Sequence, residues 1–188
     1  MKHPASREFF SYWDEKRANA SAPERSDLEP AQVRHLLGDI FVLSYDASAG
    51  HPFRVAGTRV CALVGHDLKG QSFTSLFGSE SRREIEDIVG IVAEETLATV
   101  AGITALTPDG TRVHFELLLL PFSARSHTPL SLTGLLAPLG HDGIGQVYGA
   151  LKDFSLTSWR HLPQERRAPR DVRKWSIIKG LTVYEGFR

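Results

Sequence analysis

Apolar positions recur with a helical period over residues 6 to 18. There Phe9, Phe10 and Trp13 fall at i, i+1 and i+4 between charged residues, which predicts an amphipathic helix. Ser6 stands where an N-cap is expected. A loop containing Pro23 follows. SDLEPAQVRHLLGD then reads as a second short helix, with Pro30 in its first turn, Val33, Leu36 and Leu37 as its apolar stripe and Gly38 as its stop. From Asp39 the period changes to that of strands. IFVLSYD and PFRVAG are runs rich in β-branched and aromatic residues, joined by the turn-forming DASAGH. Short helical turns are expected around Arg59 to Val64 and Phe73 to Phe77. A longer helix is expected from Ser79 to Leu97, carried by Ile85, Ile88, Val89, Val92 and Thr96. Two long strands, Thr99 to Leu106 and Thr111 to Phe122, flank TPDG, in which Pro sets φ and Gly takes a positive φ. A last strand, Ser131 to Pro138, closes the series.

The pattern divides the chain into a helical extension over residues 1–38, a mixed core over 39–140 and a C-terminal extension over 141–188. HDGIGQVYGALKD shows no period. Residues 160 to 174 carry Arg160, Arg166, Arg167, Arg170, Arg173 and Lys174 and read as a solvated basic linker rather than a surface for nucleic acid or acidic lipid. SIIKGLTVYEGF alternates enough for a terminal hairpin or an added strand. No internal repeat is visible.

The 188 residues suit one domain with extensions, and a chain of this length buries about two thirds of its surface without disulfides or metals. The 22 Lys+Arg balance 22 Asp+Glu, which argues against a general nucleic-acid binder. A lone Cys61 excludes an intramolecular disulfide and a cysteine-only zinc site. No apolar run approaches the length that spans a bilayer, and MKHPASREFFSYWDEKR has no apolar signal core. A cytoplasmic protein with no membrane partner is expected.

The order of two strands, short helices, one longer helix and three strands resembles the PAS domain. The resemblance is carried by LVGHDLKGQSFTSLF, Leu63 to Phe77, with its glycine–leucine–glycine spacing followed by an apolar short helix. More narrowly, FFSYWDEKR, APERSDLEP, LLGDIFVL, FRVAGTRVCALVGHDLKG and ELLLLPF are similar to a proteobacterial subfamily of small stand-alone PAS proteins, formerly a domain of unknown function. The likeness covers roughly residues 7 to 138. It implies an α+β fold: a five-stranded antiparallel sheet with short helices on one face and an N-terminal helical extension. It also implies sensing of a small molecule or a signalling partner, and a homodimer. Gly57, Gly65 and Gly70 allow the sharp turns of a wall around such a pocket.

In the strand Val113 to Leu120, Val113, Phe115, Leu117 and Leu119 share one face, and His114, Glu116, Leu118 and Leu120 share the other. Phe115, Leu117 and Leu119 would floor a pocket walled by Cys61, His66, Phe73 and Phe77; these seven are the expected ligand-binding residues. Leu118 and Leu120 need a cover. Phe9, Phe10 and Trp13 would supply it, from the same chain or from a second copy, and these five are the expected interface.

Other features have plainer readings. Cys61 lacks the neighbours of a flavin-adduct cysteine in light-sensing PAS domains and reads as a small buried apolar group. His66 reads as a solvated turn histidine, because haem-binding PAS proteins hold iron from the longer helix and that helix carries no histidine here. His3, His35, His51, His114, His127, His141 and His161 are scattered without metal spacing. Asp46, Ser48 and Gly50 fit half of a cyclic-di-GMP motif whose arginine half is missing upstream. Arg25 and Asp27 either pin a loop or offer a partner surface. No nucleophile–base set, carboxylate pair or metal cluster is evident, so no enzyme and no particular cofactor is expected. The expected role is a non-enzymatic sensory or regulatory protein in bacterial signalling. The alternative is a ligand-free adaptor whose core is filled by Phe53, Phe73, Phe77 and Phe115.

Overall fold

The computed structural model describes residues 1–124, 129–140 and 150–163, together with the backbone of two strands at 174–178 and 181–184. The irregular HDGIGQVYG stretch and residues 164–173 of the basic stretch lie outside the described residues.

The first helix, α1, runs Pro4–Arg17. It begins two residues before the expected Ser6 cap. His3 is the N-cap, its Nδ1 accepting the Ala5 N–H at 3.2 Å. Pro4 takes the first helical position, where a missing N–H costs nothing. Ser6 instead lies inside the helix and is fully buried. The expected second helix is two 3-10 turns, Arg25–Asp27 and Pro30–Val33. The Asp27 carboxylate closes the first by accepting the Glu24 N–H at 2.8 Å. Pro30 forces Glu29 into extended backbone, so no continuous helix can cross that point.

The core follows as β1 (Ile40–Ser44), β2 (Phe53–Ala56), α2 (Thr58–Val64), a 3-10 turn (Thr74–Leu76), α3 (Ser79–Glu94), β3 (Thr99–Leu106), β4 (Arg112–Pro121) and β5 (Ser131–Pro138). The helix α3 stops three residues short of the expected Leu97. Thr96 takes a positive φ of 56°, which turns the chain into β3. The sheet has six strands rather than five, because β6 (Lys152–His161) pairs along β3. Its order is β2-β1-β5-β4-β3-β6, and every pair is antiparallel. A separate antiparallel pair, β7 (Lys174–Ile178) and β8 (Leu181–Tyr184), lies near the C-terminus.

The period-2 alternation of β4 sorts its side chains into two cores. Val113, Phe115, Leu117 and Leu119 join the inner core, under α2, the Thr74–Leu76 turn and α3. Leu118 and Leu120 join the outer core with Phe9, Trp13, Val33, Leu36, Ile40 and Leu135. An α-helix with its side chains is about 10 Å wide, and strands are about 4.8 Å apart, so one helix covers roughly two strands. The helix α1 lies over β4 and β5. The outer face of β1 and β2 is left to the looser segment between Glu24 and Leu37.

Candidate functional site

The structure brings five of the seven expected ligand residues together. Phe73, Phe77, Phe115, Leu117 and Leu119 are all buried in the inner core. Six phenyl rings form a connected run there. Ring centroids are 5.6 Å apart for Phe41–Phe73, 5.7 Å for Phe53–Phe73, 5.4 Å for Phe73–Phe77, 6.0 Å for Phe77–Phe154 and 6.3 Å for Phe154–Phe115. These are the separations of favourable aromatic pairs. Phe154 comes from β6, in a stretch where no strand was expected.

Cys61 and His66 stand apart from this run. Cys61 is half-buried at its edge, with Sγ 4.0 Å from the Ala56 carbonyl and from Asp67 Oδ1. His66 is exposed, its Nδ1 3.0 Å from the Asp67 carbonyl oxygen, and it borders an open cleft with Phe77, Arg82 and Phe154.

The expected interface residues gather on the outer face. Phe9 and Trp13 are buried against Leu118 and Leu120 by their own chain. Phe10 is half-exposed and stacks on Trp13 at 6.0 Å. Arg17, itself 4% exposed, closes the end of this layer. It pairs with Asp14 at 2.6 Å and lies over the Trp13 ring at 5.8 Å.

Where α1 ends its cover, a groove of about 480 Å³ opens between the Glu24–Leu37 segment and the sheet edge. Its floor is one cross-strand row and its neighbours. Val55 pairs with Val42, and Val42 with Thr133; Ile40 lies beside them. Phe9 and Tyr12 form one wall, and Leu28, Pro30 and Val33 form the roof. The roof is tied to α1 through Glu29, whose N–H donates to the Tyr12 hydroxyl at 2.6 Å and whose carboxylate pairs with Lys16 at 3.0 Å.

The far end of the groove is built by the FRVAGTRV stretch. Gly57 passes so close to the Leu37 and Gly38 carbonyls that a Cβ there would lie 2.3 Å from each oxygen. Its N–H donates to the Ile40 carbonyl at 2.8 Å. Arg59 then grips both oxygens of Asp39 at 2.6 Å and donates to the His35 carbonyl at 2.8 Å. Arg25 lies at the other end. It makes no pair with Asp27, whose carboxylate is spent on the Glu24 N–H.

One buried acid escaped the sequence reading. Glu116, 4% exposed on the outer face, accepts the backbone N–H groups of Lys2 at 2.5 Å and His3 at 2.9 Å. Burial alone would push its carboxyl up. The Lys2 and His3 amides more than offset this and hold it below the ordinary glutamate value. The signal was there: a single carboxylate inside the apolar run of β4 demands a partner.

Among the described residues no cluster of His, Cys, Asp and Glu could hold a metal ion, and no helix is long and apolar enough to cross a membrane. No curated protein matches the chain. Solved structures similar to it include the dark state of the blue-light photoreceptor Aureochrome1 LOV (14% identity, TM-score 0.45, 58% of this chain and 81% of that chain). They also include the Rhodobacter sphaeroides LOV protein (15%, 0.44, 62% and 71%) and an RNA-binding light-oxygen-voltage receptor (15%, 0.47, 61% and 34%). At these values the likeness carries no cofactor or activity across. Residues 1–137 match the family described as PAS domain, a span that takes in α1, the outer groove and the sheet as far as β5, and the chain belongs to that family.

Proposed function

We propose that the chain is a non-enzymatic regulatory PAS protein of bacterial signalling. In this reading a small ligand or partner segment, taken up beneath the N-terminal extension, alters how that extension sits on the sheet. The observation that supports it is where the space lies: the inner face is packed with phenyl rings, while the apolar groove opens on the outer face. Phe73, Phe77, Phe115, Leu117 and Leu119 then act as the packed backing of the sheet. The roof of the groove is held to α1 by exposed polar contacts, of which the Lys16–Glu29 pair is screened by water and salt. A ligand that fits one seating of the roof better than another would shift the population by that difference in affinity. A cytoplasmic location and a homodimer complete the proposal.

The filled inner core also favours a second reading, an adaptor that needs no small ligand and acts by protein contacts at the exposed Leu37 and Val55. Native mass spectrometry of freshly purified protein beside its denatured mass separates the two. An adduct lost in Val55→Trp supports uptake in the groove. A bare mass favours the adaptor. An adduct indifferent to Val55→Trp, with hydrogen-exchange protection on β3, β4 and α3, would place the ligand in the inner core and end the groove reading.

A further inference from the structure

We propose that the outer groove binds a free single-chain fatty carboxylate, its chain lying over Val42 and Val55 and its carboxylate held between Arg25 and Arg54. The proposal rests on the groove reading above and adds the chemistry of the occupant. Three large apolar side chains are left exposed among the described residues, and two of them, Leu37 at 40% and Val55 at 50%, line this groove. Arg25 and Phe122 border both the groove and a second, smaller cavity of about 150 Å³, which Arg54 also borders. The two cavities therefore meet at Arg25 and Phe122, and the smaller one, of mixed lining, adds Arg54, Ser123 and Ser131.

Charge decides what fits where the two cavities meet. Arg17 and Arg59 are each spent on an aspartate. Arg25 and Arg54 have no hydrogen-bond or ion-pair partner among the described residues. The one carboxylate bordering the groove, Glu29, is engaged by Lys16 and Gln32. Two unpaired guanidinium groups at the mouth of an apolar chamber match an amphiphile with an anionic head, and the planar guanidinium fork suits a carboxylate. The groove's 480 Å³ lies in the lower half of the usual ligand-pocket range of about 300–1,000 Å³, which favours one chain over two.

Calorimetric titration of the full chain with octanoate, decanoate and dodecanoate, each below its micellar concentration, tests the proposal. Affinity should rise about fourfold per added methylene until the groove is full. The Arg25→Gln/Arg54→Gln double variant should weaken decanoate binding at least tenfold and leave 1-decanol binding and the thermal midpoint unchanged. Val55→Trp should abolish both ligands. Equal affinity for decanoate and decanol, or an unaffected arginine variant, would overturn the carboxylate; if Val55→Trp still blocked binding, the groove reading would stand without it. Binding indifferent to Val55→Trp would overturn both. Co-sedimentation with phosphatidylglycerol vesicles, without binding of free carboxylates, would overturn the free ligand in favour of a membrane surface.

Discussion

The indole N–H of Trp13, on the first helix, donates to the main-chain carbonyl of Pro121 at the end of β4, across 2.9 Å. The bond ties the N-terminal extension to the middle of the sheet, and the ring around it is 0% exposed. Truncating a fully buried aromatic costs about 3–5 kcal/mol, so Trp13→Ala should lower the denaturation free energy by that amount. Trp13→Phe keeps most of the apolar contact but strands the Pro121 carbonyl, for about 1–3 kcal/mol. Urea denaturation of the two variants separates packing from the hydrogen bond. A loss below about 0.5 kcal/mol for the alanine variant, typical of a free surface, would mean that α1 does not cover the sheet in solution.

The same layer carries a pH signature. Glu116 is held below its ordinary value of 4.5, so its folded carboxyl is more acidic than its unfolded one. Its contribution is complete above about pH 4.5 and is lost as pH falls through the depressed folded value. The thermal midpoint of the wild type should therefore drop more steeply below pH 4.5 than that of Glu116→Gln, in which the amide keeps the shape but not the charge. Parallel curves for the two proteins in that acid range would remove Glu116 as the anchor of the Lys2 and His3 amides.

A second titrating group acts at higher pH. His51 is 1% exposed, stacks on Tyr45 at 5.2 Å and sits at a positive φ of 55°. Burial lowers its pKa from the ordinary 6.5, against the smaller opposing pull of Glu86 and Asp46. The neutral ring is thus the folded form, and its contribution is present above about pH 6.5 and lost as pH falls through the depressed value. Asn tolerates the same backbone region. His51→Asn should cost stability at neutral pH through lost stacking, yet its stability should be level between pH 6.5 and the onset of carboxylate protonation, where the wild type slopes. An equal slope in both proteins would assign the effect elsewhere.

What was legible in the sequence followed from periodicity. The two-residue period of β4 sorted Leu117 and Leu119 from Leu118 and Leu120, and those pairs fall in different cores. The helical spacing of Ile85, Ile88, Val89 and Val92 likewise gave the buried face of α3. The β6 strand was not legible because an edge strand buries few residues. Of its ten positions only Phe154 is buried, so alternation is nearly silent and the basic residues that follow dominate the reading. The second helix was over-read because Val33, Leu36 and Leu37 have helical spacing, while the extended Glu29 ahead of Pro30, which separates the two 3-10 turns, is not a matter of period. The groove was invisible for a simpler reason. It is the difference between the width of one helix and the width of the sheet, and no residue pattern records that.

Gly57, at the junction of β2 and α2 and at the end of the groove, can be tested against two glycines elsewhere in the chain. Gly57 has an ordinary φ of −66°, so alanine is conformationally acceptable there. The obstacle is the pair of carbonyl oxygens, on Leu37 and Gly38, each 2.3 Å from the added carbon. Both are backbone atoms, which cannot swing aside as a side chain would, and the Gly38 carbonyl is held by the Arg59 and Val60 N–H groups. Gly57→Ala should therefore cost about 2–3 kcal/mol, the scale of overpacking. Gly110, at φ +85° with nothing within 4 Å, makes the opposite case: Gly110→Ala should cost about 1–2 kcal/mol from backbone strain alone. Gly78 has neither constraint and caps α3, so Gly78→Ser should gain a few tenths of a kcal/mol. The order of the three in urea denaturation is the test. If Gly57→Ala were as benign as Gly78→Ser, the Leu37–Gly38 backbone would not press on the end of the groove, and the junction would be free to open there.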